Sequence, residues 1–427
     1  MNFSYLRREP GFYRRVFTLA LPVVLQNLIT TSLGFMDTFM VGLVGQEQMS
    51  AVTVANVPIY IIQLIVFGLQ SGSRVLISQF WGRGDRESIN RVMGIGFFVA
   101  GGISTLCALT MGLFPRQVLM LITDNARLVE LGTSYIRIVG FSYILNSLSS
   151  IYIGMQQSIE NPRFGMTVFA ISTVCNTVGN YILIFGKFGA PEMGVEGAAI
   201  ATVISRYVEL AIVAGWTHGH KARNAFIVGA YRSMYIPGKL LRSITIKGMP
   251  LLVNEFLWSS GMAVLNQCYS TCGLDVVPAM NICSTLFNLG SVVYLSMGNS
   301  VGIIMGQMLG AGHSEEDVRD TNRKLIAVSI ASGVMFGGLM AAVSEAFPGI
   351  YNTTDAVRHL AAQLIWISAV MMPFGSYLNA TYFTLRSGGQ TFVTFLFDSC
   401  FMWVFCVPLA FCLSRFTNLP ILPLYAI

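Results

Sequence analysis

Long apolar runs recur along the whole chain, separated by short polar segments. Each run has roughly 20 to 30 residues, enough to cross about 30 Å of hydrocarbon as a helix. The sequence shows no alternation of apolar and polar residues with regular turns, so these runs are predicted to be helices that satisfy their own backbone hydrogen bonds. We count eleven, with approximate bounds 16–43, 51–80, 92–114, 130–157, 165–186, 197–216, 243–268, 275–309, 325–347, 356–384 and 391–413.

Composition agrees with this pattern. The chain has 427 residues, of which 54% are apolar and only 11% are charged. A single water-soluble core cannot hide that much apolar surface. The first run is too long for the apolar region of a signal peptide, and we interpret it as a membrane helix. We therefore predict an all-α, multi-pass integral membrane protein, located in the plasma membrane.

Basic residues are distributed unevenly between alternate loops. Of the 26 Lys and Arg residues, 18 lie at the N-terminus and in the loops predicted to share its side, Arg386 among them. The intervening loops hold five. Because basic residues are retained on the cytoplasmic side, the N-terminus is predicted to be cytoplasmic. The net charge of +6 then reflects membrane topology, and we predict no nucleic-acid partner.

A duplicated glycine motif divides the chain into halves. The sequence QFWGRG at Gln79–Gly84 returns as QMLGAG at Gln307–Gly312, and Pro22 pairs with Pro250 at the same offset of 228. Six helices per copy is an even number, so both halves keep the same orientation. We predict two six-helix bundles related by a parallel pseudo-twofold axis along the membrane normal.

The repeat also sets the predicted domain boundaries. We assign 1–216 to an N-terminal six-helix lobe, 217–242 to a cytoplasmic connector, and 243–427 to a C-terminal lobe with five complete helices. The counterpart of the sixth helix is expected to start near 425, where the sequence stops. We accordingly expect the twelfth helix to be missing from this sequence, and to follow in a longer gene product.

Duplicated bundles of this kind suit alternating access, in which two halves move about a site held between them. The sequence has no Walker A pattern, so we expect an ion gradient to supply the energy. Its eight cysteines all lie in or beside apolar runs, without disulfide or metal-ligand spacing. No metal and no cofactor are predicted.

Four stretches resemble one transporter family, multidrug and toxic compound extrusion (MATE). They are LALPVVLQNLITTSLGFMDTFMVGLVG in the first run, SQFWGRGD after the second, SIENPRFGM after the fourth and GMPLLVNEFLWSSGM in the seventh. The resemblance extends from about residue 12 to the end. It implies a two-lobed antiporter of twelve helices that exports cationic or amphipathic organic compounds in exchange for protons or sodium ions.

Charged residues inside the runs are candidates for function, because an ionisable group at the centre of a bilayer costs about 2.5 to 3.5 kcal/mol on insertion scales. Asp37, Glu255 and Asp398 are the leading ones. Arg206 and Glu209 are i, i+3 neighbours that we expect to neutralise each other in a structural pair. Three roles stay open for a further in-span arginine, Arg74: lining a cavity, reaching the membrane interface, or pairing with an acid.

In the N-terminal half, four polar residues reach similar depths on three predicted helices: Asp37, Asn176, Asn180 and Thr202. They resemble the family's cation-coupling pocket, which implies an Asp on the first helix, Asn-x-x-x-Asp on the fifth and Thr on the sixth. Here Asn180 replaces the second Asp, so Asp37 is the only carboxylate. This departure disfavours tight Na⁺ binding and leaves Asp37 as a protonatable group. The alternative is that the two asparagines only hold helices together.

In the C-terminal half, Glu255 and Asp398 share an inner to central depth. The resemblance implies a cation site with a Glu on the seventh helix and an Asp on the tenth. Here the Glu lies about one turn earlier, and the tenth helix offers Asn379. We predict that Glu255 is functional, with a salt bridge to an intramembrane Arg as the alternative. Asp398, Arg74 and Asn379 are candidates for a cavity lining.

Our main prediction is a cation-coupled antiporter, driven by H⁺ or Na⁺, that exports organic cations or amphipathic drugs by alternating access. Its partners would be the small organic substrate and membrane lipid, and it would act as a monomer. A flippase for lipid-linked saccharides is the alternative, and it would need a more basic cavity. A membrane-embedded enzyme is least favoured, because the four histidines lie near loops and no HExxH pattern occurs.

Overall fold

Helices dominate the structure, a computed structural model that describes residues 10–224, 227–228, 238–417 and 419–426. No strand occurs in those ranges. The first eight helices are α1 Pro10–Gly42, α2 Gln46–Arg83, α3 Arg86–Leu113, α4 Pro115–Met120, α5 Ala126–Val139, α6 Ser142–Ser158, α7 Pro162–Phe185 and α8 Gly194–Gly219. The others are α9 Gly238–Ser270, α10 Val276–Ala311, α11 Glu315–Val343, α12 Asp355–Ser387, α13 Thr391–Phe395, α14 Val407–Phe416 and α15 Ile421–Ala426.

The predicted membrane runs all fall on helices, but the described ranges contain fewer helices that meet the length and hydropathy of a membrane span than the eleven predicted. Within the described ranges, nine helices are long and apolar enough to cross a membrane, or ten if the bent pair α5 and α6 forms one span. We predicted eleven. The helix α9 is not among the nine or ten, because Asn254 and Glu255 near its centre lower its mean hydropathy. The all-helical membrane fold itself is confirmed.

The predicted fourth run, 130–157, is broken rather than straight. Helices α5 and α6 meet at an angle of 46°, with Gly140 between them. A Cβ added to Gly140 would lie 2.9 Å from the Ile136 carbonyl oxygen and 3.2 Å from Cβ of Met111. Close packing against α3 therefore accompanies the bend, and the equivalent helix α12 in the second half is continuous.

The duplicated glycine motif has the same backbone structure in both copies. Gly84 follows α2 with φ 72° and Gly312 follows α10 with φ 73°. In each copy the amide of the residue after this glycine donates a hydrogen bond to a carbonyl in the last turn of the helix. Asp85 N–H donates to the Phe80 carbonyl at 2.9 Å, and His313 N–H donates to the Met308 carbonyl at 3.3 Å. Both helices thus end in a Schellman motif, which needs a residue in the left-handed conformation.

The chain forms two compact units, Leu25–Gly248 and Met1–Val24 with Met249–Ile427. In the first, the core is built from fully buried side chains on α3, α5 and α6, including Ile89, Met93, Ile136 and Met155. In the second, α10, α11 and α12 enclose a core that includes Leu325, Leu364 and Ile365.

Helix α1 contributes to both units. Its residues Val16, Leu19 and Ala20 join an apolar cluster with Met297 and Val301 of α10. The first turns of α1 therefore belong with the second unit, whereas the predicted lobes placed all of α1 in the first. Part of the predicted connector 217–242 lies outside the described residues, at 225–226 and 229–237.

Candidate functional site

A polar cavity of about 280 Å³ lies inside the unit Leu25–Gly248. Its walls come from α1, α2, α5, α6 and α8. Asp37 is the only acid among the described residues that line it. The polar or titratable side chains around Asp37 are those of Thr38, Thr53, Asn56, Gln63, Tyr135, Ser142, Tyr143, Asn146, Thr202 and Arg206.

The structure brings the four residues predicted for this half into one hydrogen-bonded chain. Asn180 Nδ2 donates to Asp37 Oδ1 at 2.6 Å and to Asn176 Oδ1 at 3.0 Å. Asn176 Nδ2 donates in turn to Thr202 Oγ1 at 3.3 Å. Both asparagines are buried, with 1% of their surface exposed. This hydrogen-bonded chain connects α1 to the neighbouring helices α7 and α8, although Asp37 and Asn180 are 143 positions apart in the sequence.

Close packing of α7 on α8 explains why Asn176 reaches Thr202. A Cβ on Gly197 would lie 2.6 Å from the Leu183 carbonyl oxygen, and one on Gly179 would lie 3.0 Å from Cβ of Ala201. Small residues at such positions let helix backbones approach each other inside a membrane. Asn176 and Asn180 are one turn apart on the same face of α7, which lets Asn180 donate to Asn176 as well as to Asp37.

One acceptor atom among these four hydrogen-bonded residues receives no hydrogen bond from the described part of the chain. Asn180 Oδ1 is buried and makes no hydrogen bond to any described residue. Buried polar atoms in native proteins almost always have a partner, so an orphan of this kind marks a place for water, a proton donor or a cation. Carboxylate, amide and hydroxyl oxygens are also the ligands that hard cations prefer. The site is therefore suited to a small cation or to a proton on Asp37.

Several cavity residues were not predicted from the sequence. Asn56 and Gln63 on α2 contribute amides, and Asn146 on α6 contributes a third. Their signal was available, because Asn56 and Gln63 are seven residues apart and so lie on one helix face inside an apolar run. Among the aromatic wall residues, Tyr135 and Tyr143 are both buried.

Arg206 and Glu209 form the predicted i, i+3 ion pair. Arg206 Nη1 lies 2.6 Å from Glu209 Oε2, and Glu209 is completely buried. Ser172 on α7 donates to the same carboxylate oxygen at 3.2 Å. What the sequence did not indicate is that Arg206 also lines the Asp37 cavity, near enough to interact with Asp37 electrostatically.

Arg74 is placed elsewhere in the same unit. Its guanidinium packs against Gly154 of α6, where an added Cβ would lie 3.0 Å from Nε. It lines a separate small cavity of about 20 Å³ between α2, α3 and α6. Arg74 is not among the described residues around Asp37.

In the second unit, Asp398 lies in a π-helical turn, Leu396–Cys400. Asn254 Nδ2 donates to Asp398 Oδ2 at 2.7 Å, and Ser399 Oγ donates to Asn254 Oδ1 at 2.7 Å. Trp403 Nε1 completes the contact with α9 by donating to the Leu257 carbonyl at 2.8 Å. Such π-turns are frequent at functional sites. Asn254 was not predicted, although it precedes Glu255 in the middle of an apolar run.

Glu255 lies close enough to Arg386 and Asp398 to interact electrostatically with both. The prediction that Arg386 lies in a loop is wrong. It lies in the last turn of α12 with 6% of its surface exposed, and its guanidinium stacks 5.1 Å from the centre of the Phe383 ring. Asn379 is also on α12, where its side chain packs against Gly298 of α10.

His, Cys, Asp and Glu are the side chains that most often bind metal ions in proteins. The described residues contain no group of three or more of them that could hold a metal ion. The candidate groups described above are carboxylates on long helices with amide, hydroxyl and guanidinium neighbours.

Solved structures with the same fold are transporters. One is described as the outward-facing conformation of a multidrug resistance MATE family transporter of the MOP superfamily, with a TM-score of 0.87 and 18% identity, covering 99% of this chain and 92% of that chain. Another is a mutant of the MATE transporter VcmN from Vibrio cholerae, with a TM-score of 0.87 and 19% identity, covering 97% and 93%. These likenesses establish the fold.

Curated relatives match over nearly the full chain. The probable multidrug resistance protein NorM of Thermotoga maritima is 24% identical over 98% of this chain and 90% of its own length. The multidrug resistance protein MdtK of Edwardsiella ictaluri is 24% identical over 94% and 87%.

A family model extends the comparison to both halves of the chain. The MatE model matches residues 22–182 and again residues 250–412, which together make up well over half of the sequence. The two matches start at Pro22 and Pro250, the prolines that the repeat pairs. The chain therefore belongs to the MatE family, whose members are multi-pass membrane transporters and not enzymes.

Proposed function

We propose that this protein is a cation-coupled antiporter that exports organic cations or amphipathic drugs by alternating access. The observation that carries this proposal is Asp37, a carboxylate within an apolar helix that faces a polar cavity and is held by Asn180. An ionised carboxylate inside a membrane is costly, so its charge favours uptake of a proton or a sodium ion.

The asparagine beside Asp37 can serve both charge states of the carboxyl. An amide carries donors on nitrogen and an acceptor on oxygen. The ionised carboxylate accepts from Asn180 Nδ2, as observed at 2.6 Å. A protonated carboxyl group becomes a donor, and the orphan acceptor Asn180 Oδ1 is the matching partner. Binding and release of one proton therefore change the hydrogen-bonding pattern between α1 and α7.

Coupling requires no shared site for the cation and the drug. A ligand shifts a conformational equilibrium only by its difference in affinity between the two states. If the cation favours one state and the drug the other, each lowers the affinity for the other through conformation. Asp37 would take up its cation from outside and release it inward, while substrate moves in the opposite sense.

The relatives support the choice of substrate. NorM and MdtK proteins carry the name multidrug resistance protein, which favours export of drugs over import of nutrients. The excess of Lys and Arg on one set of loops supports a cytoplasmic N-terminus. We place the protein in the cell membrane, because export of drugs out of the cell takes place there.

The test is transport in proteoliposomes that contain ethidium as a fluorescent organic cation. Proton and sodium gradients are imposed separately, so that the driving ion is identified. We expect Asp37→Asn to lower gradient-driven export roughly tenfold or more, because the neutral amide cannot exchange a cation. Ethidium binding to the purified variant should be retained, because Asp37 is not required to hold the drug.

Asp124→Asn is the matched control, because it makes the same chemical change at an exposed acid outside the helices. It should export at the wild-type rate. Export by Asp37→Asn at the wild-type rate would show that the coupling carboxylate lies elsewhere. Movement of a pyrophosphate-linked lipid instead of ethidium would favour the flippase alternative, against which the cavity offers a single arginine among its described lining residues.

A further inference from the structure

Three charged groups are connected across the Asp37 cavity. Arg206 lines the cavity and interacts with Asp37 electrostatically, but its Nη1 is bonded to Glu209 at 2.6 Å. Glu209 is not among the described residues that line the cavity, and none of its surface is exposed. The guanidinium thus faces two carboxylates and is paired with the one farther from the cavity.

The charge balance of this group leaves one negative charge without a counter-charge. Two carboxylates contribute two negative charges when ionised, and the guanidinium, which does not lose its proton in proteins, contributes one positive charge. Among the described residues that line the cavity, the other titratable ones are Tyr135 on α5 and Tyr143 on α6, and both are neutral near pH 7. From α2 and α7 the neighbours are amides, such as Asn56 and Asn180, which carry no charge.

We propose that Glu209 is a positioning residue for cation coupling: it holds Arg206 so that the guanidinium does not neutralise Asp37. Asp37 then needs one external monovalent cation, a proton or a sodium ion, to balance its charge. Without the Glu209 charge, Arg206 is free to pair with Asp37 and to act as a permanent internal cation. This inference rests on Asp37 being the coupling carboxylate.

The geometry allows the exchange of partners. A guanidinium has five N–H donors in a fork, so one side can bind Glu209 while another faces the cavity. Glu209 Oε1 has no hydrogen-bond partner among the described residues, so only one of its oxygens holds Arg206. A bidentate Arg–carboxylate pair would be stronger and harder to separate. The observed single contact is suited to holding the guanidinium reversibly.

A purely structural ion pair would make a different prediction. In that case Arg206 would keep its position when Glu209 is replaced, so the loss of the Glu209 charge would lower stability and change the proton affinity of Asp37 by much less than tenfold. If Glu209 positions Arg206, its loss changes the pH range in which Asp37 binds a proton. The measurement must therefore report the protonation of Asp37 itself.

Labelling with a hydrophobic carbodiimide provides this measurement. The reagent adds to the protonated form of a carboxyl group and leaves a stable acyl-urea, which peptide mass spectrometry locates at Asp37. Purified, folded protein is labelled across a pH series, and the midpoint pH of Asp37 labelling is compared between variants. Glu196→Gln, an exposed acid at the start of the same helix, is the matched control.

We expect Glu209→Gln to move the labelling midpoint to lower pH by about one unit or more, because a tenfold change in proton affinity is one pH unit. Glu209→Asp keeps the charge and should restore the wild-type midpoint, as should Glu196→Gln. The double variant Arg206→Gln with Glu209→Gln removes guanidinium and carboxylate together, so its midpoint should lie within about half a unit of wild type.

The double variant removes Arg206 and Glu209 together, so it avoids the unpaired buried guanidinium that Glu209→Gln leaves behind and should fold more readily. If Glu209→Gln does not fold, the double variant alone tests the proposal. A labelling midpoint displaced from that of wild type by more than one pH unit would overturn it. An unchanged midpoint in folded Glu209→Gln would overturn it too, as would labelling of Glu209 in the wild type near neutral pH. None of these outcomes depends on transport, so failure of the proposed function remains visible separately in the Asp37→Asn export assay.

Discussion

At the scale of single residues, the duplicated glycines are required by backbone conformation and not by space. Gly84 and Gly312 have φ of 72° and 73°, and an added Cβ at either position would meet no atom within 4 Å. Residues with a Cβ are strained in this left-handed region. The repeat in the sequence therefore preserves a way of ending a helix, and in both copies the next helix begins within three residues with acidic side chains in its first turn.

We predict that Gly84→Ala lowers the free energy of unfolding by about 1 kcal/mol, because alanine is strained in the left-handed conformation. Gly102→Ala is the matched control, since Gly102 is inside α3 with equally open surroundings but an ordinary helical backbone. It should leave stability unchanged or raise it by about 0.5 to 1 kcal/mol. Denaturant titration in mixed micelles measures both, and equal effects of the two substitutions would contradict this account.

A helix cap gives a second prediction, on pH dependence. Asp85 caps α3: Ser88 Oγ donates to Oδ2 at 2.6 Å and the Ser88 amide donates to Oδ1 at 3.0 Å. These hydrogen bonds hold the pKa of the Asp85 carboxyl below its usual value. A carboxyl group with a lowered folded-state pKa stabilises the protein above its unfolded pKa, and this stabilisation is lost as pH falls through the folded value.

We expect Asp85→Ala to cost about 1 kcal/mol of stability at pH 7, the usual value of a cap. The difference from wild type should shrink as pH falls below about 4, the ordinary pKa of Asp. Asp85→Asn is the control, because asparagine also caps helices but carries no titrating group. Its stability relative to Asp85→Ala should not vary over this range, and a constant difference between wild type and Asp85→Ala down to about pH 3 would count against the hydrogen bonds described.

At the scale of helices, small residues decide how closely two helices pack. Gly333 and Gly337 are four residues apart on α11 and face α12. A Cβ on Gly337 would lie 2.5 Å from the Ala369 carbonyl oxygen, and one on Gly333 would lie 2.9 Å from Cα of Pro373. This is the small-xxx-small pattern of membrane helix interfaces.

We predict that Gly337→Ala lowers the free energy of unfolding by about 1 to 3 kcal/mol, the usual cost of overpacking, because the backbone of α12 must move away. The adjacent Gly338 has no atom within 4 Å of an added Cβ, so Gly338→Ala is a control on the same helix. That variant should be neutral or slightly more stable. Unfolding in mixed micelles distinguishes the two, and a harmless Gly337→Ala would mean that α11 and α12 are less closely packed than described.

At the scale of the whole molecule, each unit contains a separate group of charged side chains on its long helices. The first has Asp37 with Arg206 and Glu209, and the second has Glu255 with Asp398. The two groups are built differently, because the first is organised by asparagines of α7 and the second by Asn254 and a π-helical turn. Their contributions to transport can therefore be separated by substitution.

We predict that Glu255→Gln lowers ethidium export about tenfold, equivalent to about 1.4 kcal/mol, because it removes a carboxylate that can bind a cation near Asp398. Glu316→Gln is the control, since Glu316 is exposed at the start of α11. Transport assays in proteoliposomes at equal protein density compare them. Wild-type export by Glu255→Gln would assign this glutamate a structural role beside Arg386.

Features that depend on near neighbours in the chain were predictable from the sequence alone. The helices follow from apolar runs, because a lipid environment leaves the backbone no partner except itself. The pairing of Arg206 with Glu209 and the common face of Asn176 and Asn180 follow from helical periodicity. The glycine motif was predictable for the same reason, since its conformation is decided within a few residues.

Other features depend on how helices pack, and only the tertiary structure decided them. Asp37 and Asn180 are 143 positions apart, and Asn254 and Asp398 are 144 positions apart. The presence of Arg206 in the Asp37 cavity, the burial of Arg386 and the bend between α5 and α6 likewise belong to this group. Sequence periodicity tells which side chains share a face of one helix. The rotation and depth of that helix are set by close contacts with other helices, and these contacts decide which polar groups meet.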